Sequence, residues 1–374
     1  MKHNIYNIVM KHSIIQIIAN EAENALSQQQ KDGSFPSGHN GPYFDKETPV
    51  RNTAQWLFTF SSLFERDKDN KWEIAAMKAI DFLFSKRARP MDATFWCRKN
   101  PQKDFCNGLI GQAWVIEALT KASEVFNRRD CYDLAEKLFL RHPWDEKNKL
   151  WYKVNVDGSY AGYDKTFNHQ LWFAAVAGFL NNTEEAIRRS KDFFEHVAQD
   201  IDLYSNGVIF HNTPLIKWRM SVNPLKTARC VNQFLNKEKV KRKLWHKSAG
   251  YHGFNLYAYS MYKHQMPEHS FWKSTKFEKM LSVINTESFI SEQRGNQYSY
   301  PYNPTGIELA FTLETFKPED KRLSKWWLQQ QIYHTYDGES IMTNNSKDKN
   351  TSKARIYEAI RLKGDYVVDL NSNN

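Results

Sequence analysis

The segment KTFNHQLWFAAVAGFL, Lys165 to Leu180, opens on polar side chains and then becomes almost wholly apolar. From Leu171 onward a helix would present carbon on every face, so it belongs inside a protein rather than on its surface. An Asn168-His169 pair at the mouth of such a helix needs a polar setting of its own. The same formula recurs along the chain. RNTAQWLF at Arg51, NGLIGQAW at Asn107, FNHQLWFAA at Phe167, YHGFNLYAY at Tyr251, NPTGIELAF at Asn303 and KARIYEAI at Lys353 each begin polar or with glycine, then turn apolar and aromatic. Between them, segments such as KWEIAAMKAIDFLFSK and EEAIRRSKDFF carry one charged face and read as an outer layer.

Apolar spacing of three and four predicts about twelve helices, near 12–30, 51–65, 71–88, 107–126, 129–141, 166–181, 183–199, 251–264, 270–284, 304–316, 321–335 and 351–362. The one credible hairpin is Leu150 to Tyr163, turning at Asp157-Gly158. Six inner and six outer helices make an all-α (α/α)6 toroid, with one small β-hairpin in a loop. An open superhelix is the alternative. The long loops at 31–50, 89–106, 142–165, 200–250 and 285–303 favour the ring, since loops of that length usually carry function. The expectation is a single domain over 1–374, with 363–374 as a flexible C-terminal tail.

Of the 374 residues, 41% are hydrophobic and 25% charged, the balance of a folded globular chain. Cys97, Cys106, Cys131 and Cys230 lack CxxC spacing and read as reduced residues of a reducing compartment. No apolar run is long enough for an integral membrane segment. Ser13 to Ala19 resembles a short signal core, but Gln16 breaks it and the helical period runs on into Glu21-Ala22-Glu23, so a cytoplasmic location is expected. The net charge of +10 points to an anionic partner. Nucleic acid is not expected, because no nucleic-acid motif occurs and the basic residues are dispersed. The densest basic run, KEKVKRKLWHK from Lys237 to Lys247, reads as a solvated loop.

In a toroid the loops entering the inner helices gather at one end, so Asn168 and His169 fall at the rim of a shared cavity. The alternative is that Asn168 caps its helix and His169 is a satisfied structural histidine. The next inner helix, in KSAGYHGFNLYAYSMY, brings Tyr251 and His252 to the same rim, with Lys247 just before. An amide, an imidazole, a phenol and a cation suit removal of a proton next to a sugar carboxylate. The cation and amide neutralise the carboxylate, a base takes the carbon-bound proton, and an acid protonates the leaving oxygen or the opposite face.

NHQLWFAA and AGYHGFNLY resemble two motifs of alginate-lyase-type (α/α) polysaccharide lyases, over some thirty residues. The resemblance implies Asn168 as carboxylate neutraliser, His169 as base and Tyr251 as acid or alternative base. Phe167 stands where that family commonly has asparagine, and Lys247 substitutes for its arginine. Over nearly the whole chain, DGSFPSGHNGPYFDKETPVRNTAQW, NGLIGQAWVIEAL, HPWDEKNKLWYKV and TFNHQLWFAA resemble the VpsJ/AglQ-type family of exopolysaccharide and archaeal glycan assembly. That likeness implies work on a surface polysaccharide or lipid-linked glycan.

Further substrate-binding candidates are Arg51, able to clamp a carboxylate in two places, with Asn52, His39 and Tyr43 in a polar lid, and Trp56, Gln112, Trp172 and His252. Aromatic faces stack on sugars, though aromatics at helical spacing more often form core, and that reading stands for each of Trp56, Trp96, Trp114, Trp151 and Trp172. Asp45, Asp92, Asp164 and Glu308 fall at inner-helix mouths, and the rival reading is a hydrolase of the unsaturated-glucuronyl type using Asp92 and Asp164. A non-catalytic glycan-binding subunit is the third. No P-loop, GxGxxG, HExxH or metal spacing occurs, so neither cofactor nor metal is expected. The expected partner is an anionic oligo- or polysaccharide, either lipid-linked or free.

Overall fold

The computed structural model describes residues 11–213 and 237–370. Cys230, part of the 200–250 loop and the last four positions of the expected tail lie outside the described residues. The inner helices are α2 (Val50–Asp67), α4 (Gly108–Phe126), α6 (Phe167–Val176), α9 (His252–Gln265), α12 (Thr305–Phe316), and α14 (Lys349–Ala354) continued as a 3₁₀ turn over Arg355–Arg361. Each packs on the next and the last returns to α2, so the ring closes. The open superhelix is thereby excluded.

Outside the ring lie α1 (Ile14–Leu26), α3 (Asn70–Phe84), α5 (Arg129–Arg141), α7 (Glu184–Phe193), α10 (Thr275–Ser282) and α13 (Lys321–Thr335). The division follows from the side chains. Every residue of α6 except His169 is buried, whereas α7 buries only Ala186, Ser190 and Phe193 and leaves its charges in water. One contiguous apolar core joins the two layers.

Four features differ from the sequence expectation. The basic run Lys237–Lys247 lies within helix α8 (Lys237–Gly250), which delivers the chain to Tyr251 instead of looping through solvent. A short helix, α11 (Glu287–Arg294), interrupts the 285–303 loop. The hairpin of Leu150–Val154 with Tyr160–Tyr163 gains a third strand, Trp144–Asp145. Residues 363–370 are tied down, not free. Val367–Asp369 pairs with Lys11–Ser13, and the Lys363 and Gly364 amides donate to Glu314.

Candidate active site

At the end of the ring where the inner helices begin, a cavity of about 140 Å³ opens. His169 and Tyr251 both line it, with Asn168, Lys247, Arg51 and Tyr43. Six residues from three parts of the sequence are thus brought to one cavity.

His169 is the second link of a chain anchored in α4. Asp164 is buried, and its Oδ2 accepts from His169 Nδ1 at 2.8 Å and from the Leu109 amide at 3.0 Å. Oδ1 accepts from the Thr166 amide at 3.1 Å. Burial alone would raise the Asp164 carboxyl, but the His169 charge and these hydrogen bonds outweigh it and hold it below the ordinary value. A carboxylate on Nδ1 keeps a proton there, so whenever the ring is neutral its lone pair sits on Nε2. The packing leaves no slack. Gly108, at φ +61°, would place a Cβ 2.2 Å from Asp164 Oδ2 and 3.0 Å from His169 Nδ1, so only glycine lets α4 start against the pair. Thr166, not Asn168, is the N-cap of α6, and the Asn168 Oδ1 is buried without a partner among the described residues.

Tyr251 precedes α9 and belongs to a chain of polar groups. Its hydroxyl lies 2.9 Å from that of Tyr43 and 3.4 Å from that of Tyr302. Tyr302 donates to Asn40 Oδ1 at 2.9 Å, and the same oxygen accepts from Arg51 Nη1 at 3.1 Å. Burial first, then the neighbouring Tyr302 and Tyr43, push the Tyr251 phenol well up, so it stays protonated. Asn40 and Phe44 adopt left-handed backbone on either side of the turn that carries Tyr43. A Cβ on Gly41 would meet the Tyr302 ring at 2.1 Å.

The wall is cationic. Arg51 stacks on Trp114 with its guanidinium carbon 4.2 Å from the ring and pairs with Glu47 at 3.3 Å. Its Nε and Nη2 are buried and have no partner among the described residues. Lys247 stands 5.2 Å from the Tyr43 ring, without a carboxylate partner among the described residues. Burial, then Lys243 and Lys103, lower it to about 8. No Asp or Glu lines the cavity among the described residues, and none occurs in 1–10, 214–236 or 371–374.

Other expected residues sit elsewhere. His252 is buried, accepting from the Ile209 amide at 3.2 Å on Nδ1 and bonding the Met280 carbonyl at 3.0 Å through Nε2. Trp172 stacks between Phe254 and Tyr257 in the core, and Trp56 packs on Phe35 and Phe60. Gln112 bridges Phe95 and Cys106 backbone, and Asn52 donates to the Pro36 carbonyl. His39 fastens the lid turn to the Lys347 carbonyl, outside the cavity. Asp92 is on the exterior, its side chain 63% exposed and paired with Lys86, so Asp92 and Asp164 do not face each other. Asp45 is held by Arg98 and Lys103, and Glu308 by Arg355.

The sequence reading missed His211, Asn40, Tyr302 and Arg355, all on the cavity wall, whereas Trp114, one of its aromatic candidates, does reach that wall. His211 is held between α8 and α6: its amide donates to Ser248 Oγ, and its carbonyl accepts from the Phe167 amide. Its ring lies 5.1 Å from that of Tyr251, and its Nδ1 is buried without a partner among the described residues. Burial, then Lys247 and His169, push the imidazole well down and keep it neutral. Its loop has no periodicity to mark it.

A closed double ring of helices with a polar cavity at one end defines a fold used by carbohydrate enzymes. It is similar to D-mannose isomerase (TM-score 0.64, 14% identity, 93% of this chain and 97% of that one). It is also similar to the cellobiose 2-epimerase of Spirochaeta thermophila (TM-score 0.60, 14% identity, 93% and 96%). The α-1,6-mannanase GH76A of a Salegentibacter species matches with TM-score 0.57 at 10% identity, over 93% and 98%. At sequence level the chain is 41% identical over 375 residues to archaeal glycosylation protein Q of Haloferax volcanii, covering 96% of this chain and all of that one. It belongs to the archaeal glycosylation protein Q family. No family model matches the chain. Among the described residues no helix is long and apolar enough to cross a membrane.

Proposed function

We propose that this protein moves a proton at the carbon next to the carboxylate of an acidic sugar during glycan assembly, ending as C5 epimerisation. The observation that carries this is the Asp164-oriented imidazole of His169 sharing one cavity with the Tyr251 phenol. His169 Nε2 takes the C5 proton, and the C–H electron pair moves into the carboxylate as an enolate. The Asp164 carboxylate stabilises the imidazolium so formed. Arg51, through its open Nε and Nη2, Lys247 and the Asn168 amide neutralise the enolate charge. Tyr251 then delivers its proton to the opposite face of C5. Neutral His211 is placed to donate to a sugar oxygen. If the same Tyr251 proton went to the C4 oxygen, the outcome would be β-elimination. Membership in a glycosylation family favours epimerisation, which leaves the chain intact.

The hydrolase reading needs two carboxyl groups flanking the bond. The lack of any Asp or Glu on the described wall counts against it. A binding-only subunit would not need a carboxylate-oriented imidazole in the same cavity as a protonated phenol. The test is incubation with uronate-containing saccharides in deuterated water. Epimerisation labels C5, elimination produces ultraviolet absorbance from an unsaturated sugar, and hydrolysis produces new reducing ends with no label. His169→Ala is expected to slow labelling by about 10²–10⁴-fold. Full labelling by that variant would remove the mechanism.

A further inference from the structure

The lid turn has a second face. Asn40 and Tyr43 line the cavity, whereas Gly41, Pro42 and Phe44, interleaved with them in sequence, line a separate cleft of about 190 Å³. Tyr302 borders both, so the turn and that ring form a shared partition. The chemistry proposed for the cavity makes no use of the cleft.

Its walls suit a sugar ring. Phe44 is 61% exposed, more than any other phenylalanine among the described residues. Its backbone holds it out at a cost, since φ is +48°, a conformation that bulky side chains rarely adopt. Strain of this kind persists only where the surroundings impose it, and here they do. Asp348 Oδ2 accepts from the His39 and Gly41 amides, each at 2.9 Å, and the Phe44 amide donates to the Gly41 carbonyl at 3.2 Å. The His39 ring stacks on Phe44, with centroids 5.2 Å apart and planes within 8°, so the phenyl group is braced on one face. Lys347 stands with Nζ 5.7 Å from the ring centroid, and its side chain is exposed and free to yield. Pro42, Tyr300 and Pro301 extend the apolar floor, while Gln297 and Asn345, both exposed, set amides at the rim. A fixed aromatic face for the C–H side of a pyranose, with amides at its edge for hydroxyl groups, is the pattern of a saccharide contact.

Charge divides the two hollows. The cavity wall carries Arg51 and Lys247. The cleft has no arginine, and its carboxylate, Asp348, is engaged by backbone amides. Recognition of an acid group belongs to the cavity, and stacking belongs to the cleft.

We infer that the cleft is a second sugar subsite, in which Phe44 stacks on a residue farther along the same chain whose acidic sugar occupies the cavity. The chain crosses the lid turn between them. This rests on the reading of the cavity as an acidic-sugar site and deepens it by naming an oligosaccharide as the substrate class.

The experiment uses the full chain carrying His169→Ala, so that binding is read without turnover, and calorimetric titration with oligouronates of one to four residues. Affinity is expected to rise with length. Adding Phe44→Ala should remove about five- to tenfold of the affinity for the longer oligomers, leave that for the single sugar within about twofold, and be rescued by Phe44→Tyr. Equal affinity at every length, or a Phe44→Ala loss that is the same at every length, overturns the inference. So does a dimer in sedimentation that Phe44→Ala dissociates, since a second copy would then be what covers the ring. C5 labelling of the same oligomers by the native chain in deuterated water reports the acid–base reading separately. Label without length-dependent binding removes the subsite alone, and length-dependent binding without label removes the chemistry alone.

Discussion

Replacing Asp164 with asparagine changes one oxygen for a nitrogen and tests the proposed chemistry at its root. The carboxylate does two things that an amide cannot do together. It accepts the His169 Nδ1–H at 2.8 Å, fixing the tautomer, and it carries the charge that stabilises the imidazolium. Two unit charges about 4 Å apart at an effective dielectric near 20 attract by about 4 kcal/mol. Losing most of that in the transition state slows proton abstraction by about 10²–10³-fold, at about 1.4 kcal/mol per decade. The amide must also set an N–H against either the Leu109 or the Thr166 amide, which now donate to the carboxylate. One donor left facing a donor costs about 1–3 kcal/mol of stability. The assay is initial-rate deuterium incorporation into a hexuronate, with thermal unfolding as the check on the fold. The linkage has a definite sign. Because the folded carboxyl is held below its ordinary value, its stabilisation is present above about pH 4 and lost as pH falls through the folded value. Asp164→Asn is therefore expected to flatten the acid limb of the unfolding curve. A folded Asp164→Asn that exchanges within threefold of the native rate would refute the assignment of His169 as an oriented base.

Tyr251→Phe removes the proton donor but keeps the ring against His211 and is expected to lower turnover by about 10²-fold or more with the fold retained, measured by the same exchange assay. Asp92→Ala, at an exposed and paired position, should shift stability by no more than about 0.5 kcal/mol and leave turnover unchanged; a large loss of activity would revive the hydrolase reading. His252→Ala strips the partners from the Ile209 amide and the Met280 carbonyl and leaves a cavity, so calorimetry should show about 2–4 kcal/mol of destabilisation, with turnover per folded molecule nearly unchanged. Lys247, lowered to about 8, is a cation only below that pH, so affinity for an acidic sugar measured by titration should fall as pH rises through 8, and Lys247→Met should abolish that step.

The ring of helices was legible because it rests on a statistical property of the chain. A helix apolar on all faces must be covered on all faces, and six such segments separated by one-faced helices can satisfy that by closing on themselves. The polar openings of those helices, hence Asn168, His169, Tyr251 and Arg51, were legible for the same reason. Which of their neighbours join them was not. His252 follows Tyr251 by one residue, yet the hundred-degree step of a helix turns it away from the cavity into the Ile209 and Met280 backbone. Trp56 and Trp172 share the inner-helix pattern, but their position along the helix sinks them into the core, while Trp114 reaches the wall.

What the amino-acid sequence determined by itself was the architecture and the general kind of residue at the open end, because periodicity and burial are local to each segment. Only the tertiary structure decided that Asp164 turns toward His169 instead of toward Asp92, that Gly108 is the reason it can, and that His211 and Arg355 complete the wall. The Gly108, His211 and Arg355 contacts depend on where segments distant in the chain meet in space, and no spacing within one segment records the meeting.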